Sequence, residues 1–325
     1  MSKKICAWLL APFLLTIAFF TEAQEPTKVH HIGYLSGRGS SPPQEFVQAL
    51  RKLGYEEGKN ITIEHRSADS KRERVPDLAA ELVRLKVDII VAEGTNSTSA
   101  AKKTTSTIPI VMAESTDPVG TGLVASLARP GGNVTGLTSV GGELGGKLLE
   151  LLKEIVPRLS RVVIPGPPVG SLAEDFFIKE TEKPARALKL QLIRVSANRP
   201  EDYENVFRVA SKEGAQALLV RLPPYVRSAH RKQFVELAAK NRVPAIYGAS
   251  DYVEAGGLIS YGADRNLALQ RVAVYVDKIL KGTKPADLPV EAPKDFDLVI
   301  NLKAAKQIGL IIPPNLLARA DRVIR

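Results

Sequence analysis

Residues 87–136 read VDIIVAEGTNSTSAAKKTTSTIPIVMAESTDPVGTGLVASLARPGGNVTG, and this stretch decides the fold. Two short apolar runs, Val87–Ala92 and Ile108–Ala113, each give way to small hydroxyl or acidic residues and then to a predicted helix start. In an open α/β sheet, small ligands sit beyond the carboxyl ends of the strands. Neither strand-end loop carries an obvious catalytic group. The pattern therefore predicts a pocket that binds rather than reacts.

Working outward, the rest of the chain repeats strand and helix. His30–Leu35 and Asn60–His65 read as strands, and Pro42–Leu53 as a helix with Phe46, Ala49, Leu50 and Leu53 on one face. Ser70-Lys-Arg-Glu73 has capping-box spacing and is expected to open a second helix. Asp117-Pro118 is expected to start another, with Asp117 as N-cap and Pro118 in the first turn. Arg129-Pro-Gly-Gly-Asn133 breaks the chain, and Val134–Ser139 reads as an extended crossing to a second array. There, strands are expected at Arg161–Pro165, Gln191–Val195, Gln216–Arg221, Pro244–Tyr247, Gly256–Tyr261 and Asp297–Ile300. Helices are expected near 142–156, 172–182, 201–213, 228–240, 264–280 and 302–309, with Pro184 ending or kinking the second. Alternating elements argue for an α/β protein with parallel sheets and helices on both faces. Two such arrays argue for two lobes of similar build, with chain crossings between them as a hinge.

Composition narrows the function. Lys3 and Lys4 precede a sixteen-residue apolar run, Ile5–Phe20, and Ala23 offers a small residue for cleavage, so residues 1–23 read as an export signal. The run is shorter than the roughly 20 residues that span a bilayer. The only cysteine, Cys6, lies inside that segment, so disulfides, thiolate metal sites and cysteine nucleophiles are not expected beyond it. The formal charge is +10, but Lys and Arg are interleaved with Glu and Asp, as on a solvated surface rather than a nucleic-acid face. None of His30, His31, His65 and His230 has metal-ligand spacing. No dinucleotide fingerprint, phosphate loop or nucleophile elbow is present. No catalytic residue, cofactor or metal is therefore expected.

The loops themselves supply candidates. Gly94-Thr95-Asn96-Ser97 places hydroxyls, an amide and free N–H groups at a helix N-terminus. Such an end suits a carboxylate, and Asn96 or Ser97 equally suits ordinary capping. Ser115 and Thr116 offer donors, Glu114 faces either a ligand ammonium or solvent, and Asp117 serves as a cap or a ligand contact. In the second array the matching loops are Pro165–Ser171, Pro223-Pro-Tyr225 and Tyr247–Asp251. Tyr225, Tyr247 and Tyr252 would either form aromatic walls with a polar tip or serve as ordinary packing, and Asp251 could complement a cationic group.

Several runs together resemble the ABC transporter substrate-binding protein family that includes the TrpX-like proteins. They are Tyr34-Leu-Ser, Leu53-Gly-Tyr-x-x-Gly-x-Asn-Ile61, Leu78-Ala-Ala-Glu-Leu-Val83, the run from Asp117 to Gly136, Pro244-Ala-Ile-Tyr247, Tyr275-Val-Asp-Lys-Ile-Leu-Lys-Gly282 and Ile312-Pro-Pro-x-Leu-Leu-Ala-Arg-Ala-Asp321. The resemblance implies a type I periplasmic binding protein with two Rossmann-like lobes and a three-segment hinge. Lobe I would take residues 28–137 plus 259–288, and lobe II 138–258 plus 289–325. It implies an exported, monomeric receptor in the periplasm that delivers a small molecule to a membrane permease and its ATPase. It also implies ligand contacts at Ser36, at Gly94, Thr95 and Asn96, and at Glu114, Ser115, Thr116 and Asp117. The expected ligand is an amino acid or small carboxylate. A rival reading is a periplasmic sensor serving a membrane signalling protein; an exported enzyme is disfavoured by the missing motifs.

Overall fold

The computed structural model describes residues 29–37, 41–69, 71–139, 142–166, 172–197, 199–221 and 224–325. The expected export signal, residues 1–23, lies outside them. The first array builds a five-stranded parallel sheet in the order β2-β1-β3-β4-β5, from β1 (His30–Ser36), β2 (Ile61–Ser67), β3 (Ile89–Glu93), β4 (Ile110–Thr116) and β5 (Val134–Ser139). Successive side chains of a strand face opposite sides, and both sides here are apolar. Ile89 and Val91 of β3 pack under helices α1 (Gln44–Lys52) and α9 (Arg265–Leu280). Ile90 and Ala92 join a second core that includes Leu78 and Leu82 of α2 (Val75–Arg84) and Ala101 of α3 (Gly94–Thr104).

The second array builds a seven-stranded sheet in the order β12-β11-β10-β9-β8-β6-β7. Its strands are β6 (Arg161–Gly166), β7 (Gln191–Ser196), β8 (Ala217–Val220), β9 (Ala245–Tyr247), β10 (Ile259–Ala263), β11 (Phe296–Asn301) and β12 (Arg322–Ile324). Helices α4 (Gly142–Ile155), α5 (Leu172–Ala187), α10 (Leu302–Gln307) and α11 (Pro314–Ala318) bring residues to one core of this lobe. Helices α6 (Tyr203–Lys212), α7 (Pro224–Lys240) and α8 (Asp251–Glu254) bring theirs to the other.

Four local expectations change. No helix starts at Asp117-Pro118. Asp117 takes a left-handed φ of 40° and its carboxylate accepts the Gly120 N–H at 2.9 Å, so the chain coils into a turn. The Lys102 ammonium then donates to the carbonyls of Gly122 and Leu123, and Leu123 and Val124 bury as non-helical chain. The helix expected to open at Ser70, itself outside the described residues, begins instead as a single 3-10 turn at Arg72–Arg74 and becomes α2 at Val75. Of the two outcomes expected at Pro184, an end to the helix is excluded, because α5 continues to Ala187. Gly145 and Gly146 of α4 leave room there: a Cβ on Gly146 would lie 3.1 Å from the Pro184 ring.

The fourth concerns the crossings. β10, expected in lobe I from residue 259, pairs with β9 and β11 in the second sheet, so the chain crosses only after Ala263. β5 pairs with β4 as far as Ser139, so the first crossing also lies later than residue 137. The third crossing delivers β11 at the cleft end, where Phe296 pairs with Ala263, and β11 therefore runs antiparallel to β10 in an otherwise parallel sheet.

Candidate ligand-binding cleft

The carboxyl ends of β3 and β4 face those of β8, β9 and β10 across a cavity of about 870 Å3. Its lining draws on both sheets and on the hinge segments 137–139, 263–268 and 291–296. Ligand pockets of small molecules span roughly 300–1,000 Å3, so the volume suits one small solute.

Of the residues expected at the site, Gly94, Thr95, Asn96, Glu114, Thr116 and Asp251 line this cavity together. α3 starts directly at Gly94, whose φ of 82° lets β3 turn into the helix without a linker. The helix has no side-chain cap, so neither Asn96 nor Ser97 caps it. Instead the Thr95 hydroxyl accepts the Thr116 N–H at 2.9 Å, tying the two strand-end loops together. The Thr116 and Ser139 hydroxyls share a further bond of 2.9 Å.

The other expected residues do not reach the cavity lining. Ser36 is buried and its hydroxyl bonds His65 Nε2 at 2.9 Å. Ser115 is fully buried and shares a 2.9 Å bond with the Thr98 hydroxyl. Both lie on the sheet side of their loops because a strand turns alternate side chains inward. Asp117 is committed to its own turn. Tyr247 is buried in the core, stacked on Tyr252 with ring centroids 4.6 Å apart. Tyr252 itself does line the cleft. Asp251 meets Arg231 at 3.4 Å. The Tyr225 side chain and residues 167–171 lie outside the described residues.

The structure adds charged residues that the sequence reading missed. Arg265, in the first turn of α9, donates to the Glu93 carboxylate at 3.0 Å across 172 residues of sequence. Burial opposes the guanidinium charge, but Glu93 and Glu114 more than offset it and hold Arg265 firmly protonated. Beside them Tyr34 is wholly buried, and burial, then the Glu93 charge, pushes its hydroxyl pKa well above the ordinary value. One signal for Arg265 was available: Ala263–Asn266 is another strand end running into a helix start, the same kind of place as Gly94.

A second arginine of α9 works at the hinge. Arg271 binds Glu291 in two parallel bonds, the first from Nε at 2.6 Å. The backbone of Glu291 pairs with the first crossing, donating to Gly136 and accepting from Thr138. One residue of the third crossing thus holds the strand of the first and the helix that follows the second. On the second lobe's wall, the Arg221 guanidinium lies 4.2 Å from the centroid of the Phe177 ring.

Two lobes of parallel-dominated α/β build, three crossings and a cavity between facing strand ends define the fold of a type I periplasmic binding protein. Residues 42–324 match the family model described as "ABC transporter substrate binding protein", and the chain belongs to that family. Its members are binding proteins rather than enzymes. The chain is 26% identical over 269 residues to the tyrosine-binding protein of Clostridioides difficile, covering 82% of this chain and 75% of that one. Among solved structures it is similar to a conserved domain protein of Vibrio cholerae, with 30% identity, 91% and 99% of the chains covered and a TM-score of 0.82. It is also similar to an ABC domain from Streptococcus pneumoniae in complex with L-Trp, with 25% identity, 91% and 100% covered and a TM-score of 0.82.

Proposed function

We propose that the chain captures an amino acid or small carboxylate between its lobes and delivers it to an ABC permease and its ATPase, as an exported periplasmic receptor. The observation that carries this reading is the N-terminus of α3 opening without a side-chain cap into the inter-lobe cavity of about 870 Å3. Its backbone N–H groups and the Thr95 hydroxyl would hold a carboxylate. The relatives named for tyrosine and tryptophan support the amino-acid class. Ligand bound in the cleft touches both walls only when the lobes close, so it favours the closed state by its differential affinity.

The test is a thermal-shift screen of the purified protein against amino acids, small carboxylates, purines and sugars. A ligand at a hundredfold excess over its Kd adds about 2.7 kcal/mol of stability. A rise in Tm confined to amino acids or carboxylates, lost in Thr95→Ala, is the expected result. A rise with sugars or purines alone would reject the ligand class, and no rise with any compound would reject the reading.

A further inference from the structure

The first-lobe wall of the cleft sets two carboxylates, Glu93 and Glu114, around the guanidinium of Arg265. Glu93 is committed to Arg265 at 3.0 Å. Glu114 lines the cavity half-buried and makes no hydrogen bond or ion pair among the described residues. The Tyr34 hydroxyl, wholly buried beside Glu93, stays neutral. A half-buried carboxylate with Arg265 near it but no direct hydrogen bond is only partly satisfied.

The backbone adds a second cost at the same residue. Glu114 has a φ of 61°, a left-handed conformation that non-glycine residues seldom adopt, at a register shift between Met112 and Ser115 of β4. Such strain persists where the surrounding structure imposes it, and it clusters at ligand clamps. Glu114 also has a fitting neighbour. Ala113, just before it, pairs in register with Glu93, just before the N-terminus of α3. Adjacent strands lie about 4.8 Å apart. The uncapped N-terminus of α3 and the Glu114 carboxylate therefore sit side by side. An α-amino acid bears its carboxylate and its ammonium on one carbon, so it can reach both.

We propose that Glu114 is the specificity-determining residue of the cleft, selecting ligands that carry a protonated amine beside a carboxylate over acids and sugars that lack one. Arg265 is held by Glu93 and shapes the wall rather than binding the ligand carboxylate. The proposal rests on the reading of the cleft as a solute site and adds its charge selectivity.

The experiment is calorimetric titration of the purified protein with the L-amino acids, with indole-3-propionate and 3-(4-hydroxyphenyl)propionate as their deaminated counterparts, and with myo-inositol. The expected result is an amino acid that binds about 10- to 100-fold more tightly than its deaminated form, the range for a hydrogen bond to a charged group. Glu114→Gln should abolish most of that preference. Glu114→Asn, which tolerates the left-handed backbone better, should do the same and guards against a folding defect. An amino acid bound equally well by the wild type and both variants overturns the proposal and leaves the solute site intact. Binding of the deaminated acids or myo-inositol without any amino acid also overturns it and leaves the cleft a solute site. Heat from none of the probes overturns both.

Discussion

The two walls of the cleft are built on opposite principles. The first lobe meets the cavity with strained, charged and hydroxyl-bearing loops: Glu114 at a φ of 61°, the Arg265–Glu93 pair and the Thr95–Thr116 tie. The second lobe meets it with close packing. Tyr252 stacks on buried Tyr247, Arg221 covers Phe177, and a Cβ on Gly262 would lie 2.2 Å from the Gly248 carbonyl oxygen. The second wall also presents charge, at Arg221, Asp251 and Glu254, but carries it on closely packed aromatic and glycine contacts. Substitutions should therefore affect recognition on one side and folding on the other.

The largest effect is expected at Gly262. Gly262→Ala forces β9 and β10 apart and should cost about 3 kcal/mol in denaturant unfolding; a loss under 1 kcal/mol would mean the two strands are not tightly packed. At Ser115, Ser115→Ala removes the buried partner of the Thr98 hydroxyl, which still donates to Gly94. The cost should be about 1 kcal/mol, and an unchanged midpoint would show that the hydroxyl tie contributes nothing.

Glu114→Gly tests the strained wall from the other direction. Relief of the left-handed backbone should raise stability by about 1 kcal/mol while lowering affinity for amine-bearing ligands. A destabilised variant would show that the conformation is not strained. The smallest effect concerns pH. Hydrogen bonds from Arg271 hold the Glu291 carboxyl below the usual carboxylate range. A depressed value means that this stability is present above the ordinary carboxylate pKa and is lost as the pH falls through the folded value. The pair is about two-fifths exposed, with side-chain exposures of 41% and 35%, so screening should limit it to about 0.5 kcal/mol. Glu291→Gln should show a shallower loss of stability below about pH 4 than the wild type. Identical acid limbs would show that the pair is not coupled to folding.

How much of this was legible in the sequence follows from the range of the forces involved. β3, β4 and their loops were readable because burial on both faces writes a continuous apolar run, and the site lies where that run stops. Thr95, Asn96 and Glu114, which line the cavity, were reached in this way. Burial direction at the loop ends was not readable: Ser36 and Ser115 carry the same hydroxyl as Thr95 but turn toward the sheet. Asp117-Pro118 misled because the residue types of a helix N-cap are also those of a side-chain-closed turn, and the left-handed φ of Asp117 selects the turn. The Arg265–Glu93 pair spans 172 residues, and nothing local to either residue encodes the other. The place of β10 and the reversed direction of β11 depend on where the crossings fall, which is a property of the assembled lobes.

In the closure proposed above, Glu291 would give the motion a fixed axis. Its backbone holds residues 136 and 138 while its side chain holds Arg271, so the three connecting segments are fastened at one point. Points on a rotation axis do not travel, and displacement grows with distance from it. On that proposal the fastening at Glu291 would persist whether the jaws are wide or shut. A contact present at both ends of a motion cancels from the equilibrium between them. What it sets is torsional stiffness: which single arc the lobes follow, and how little they wobble away from it.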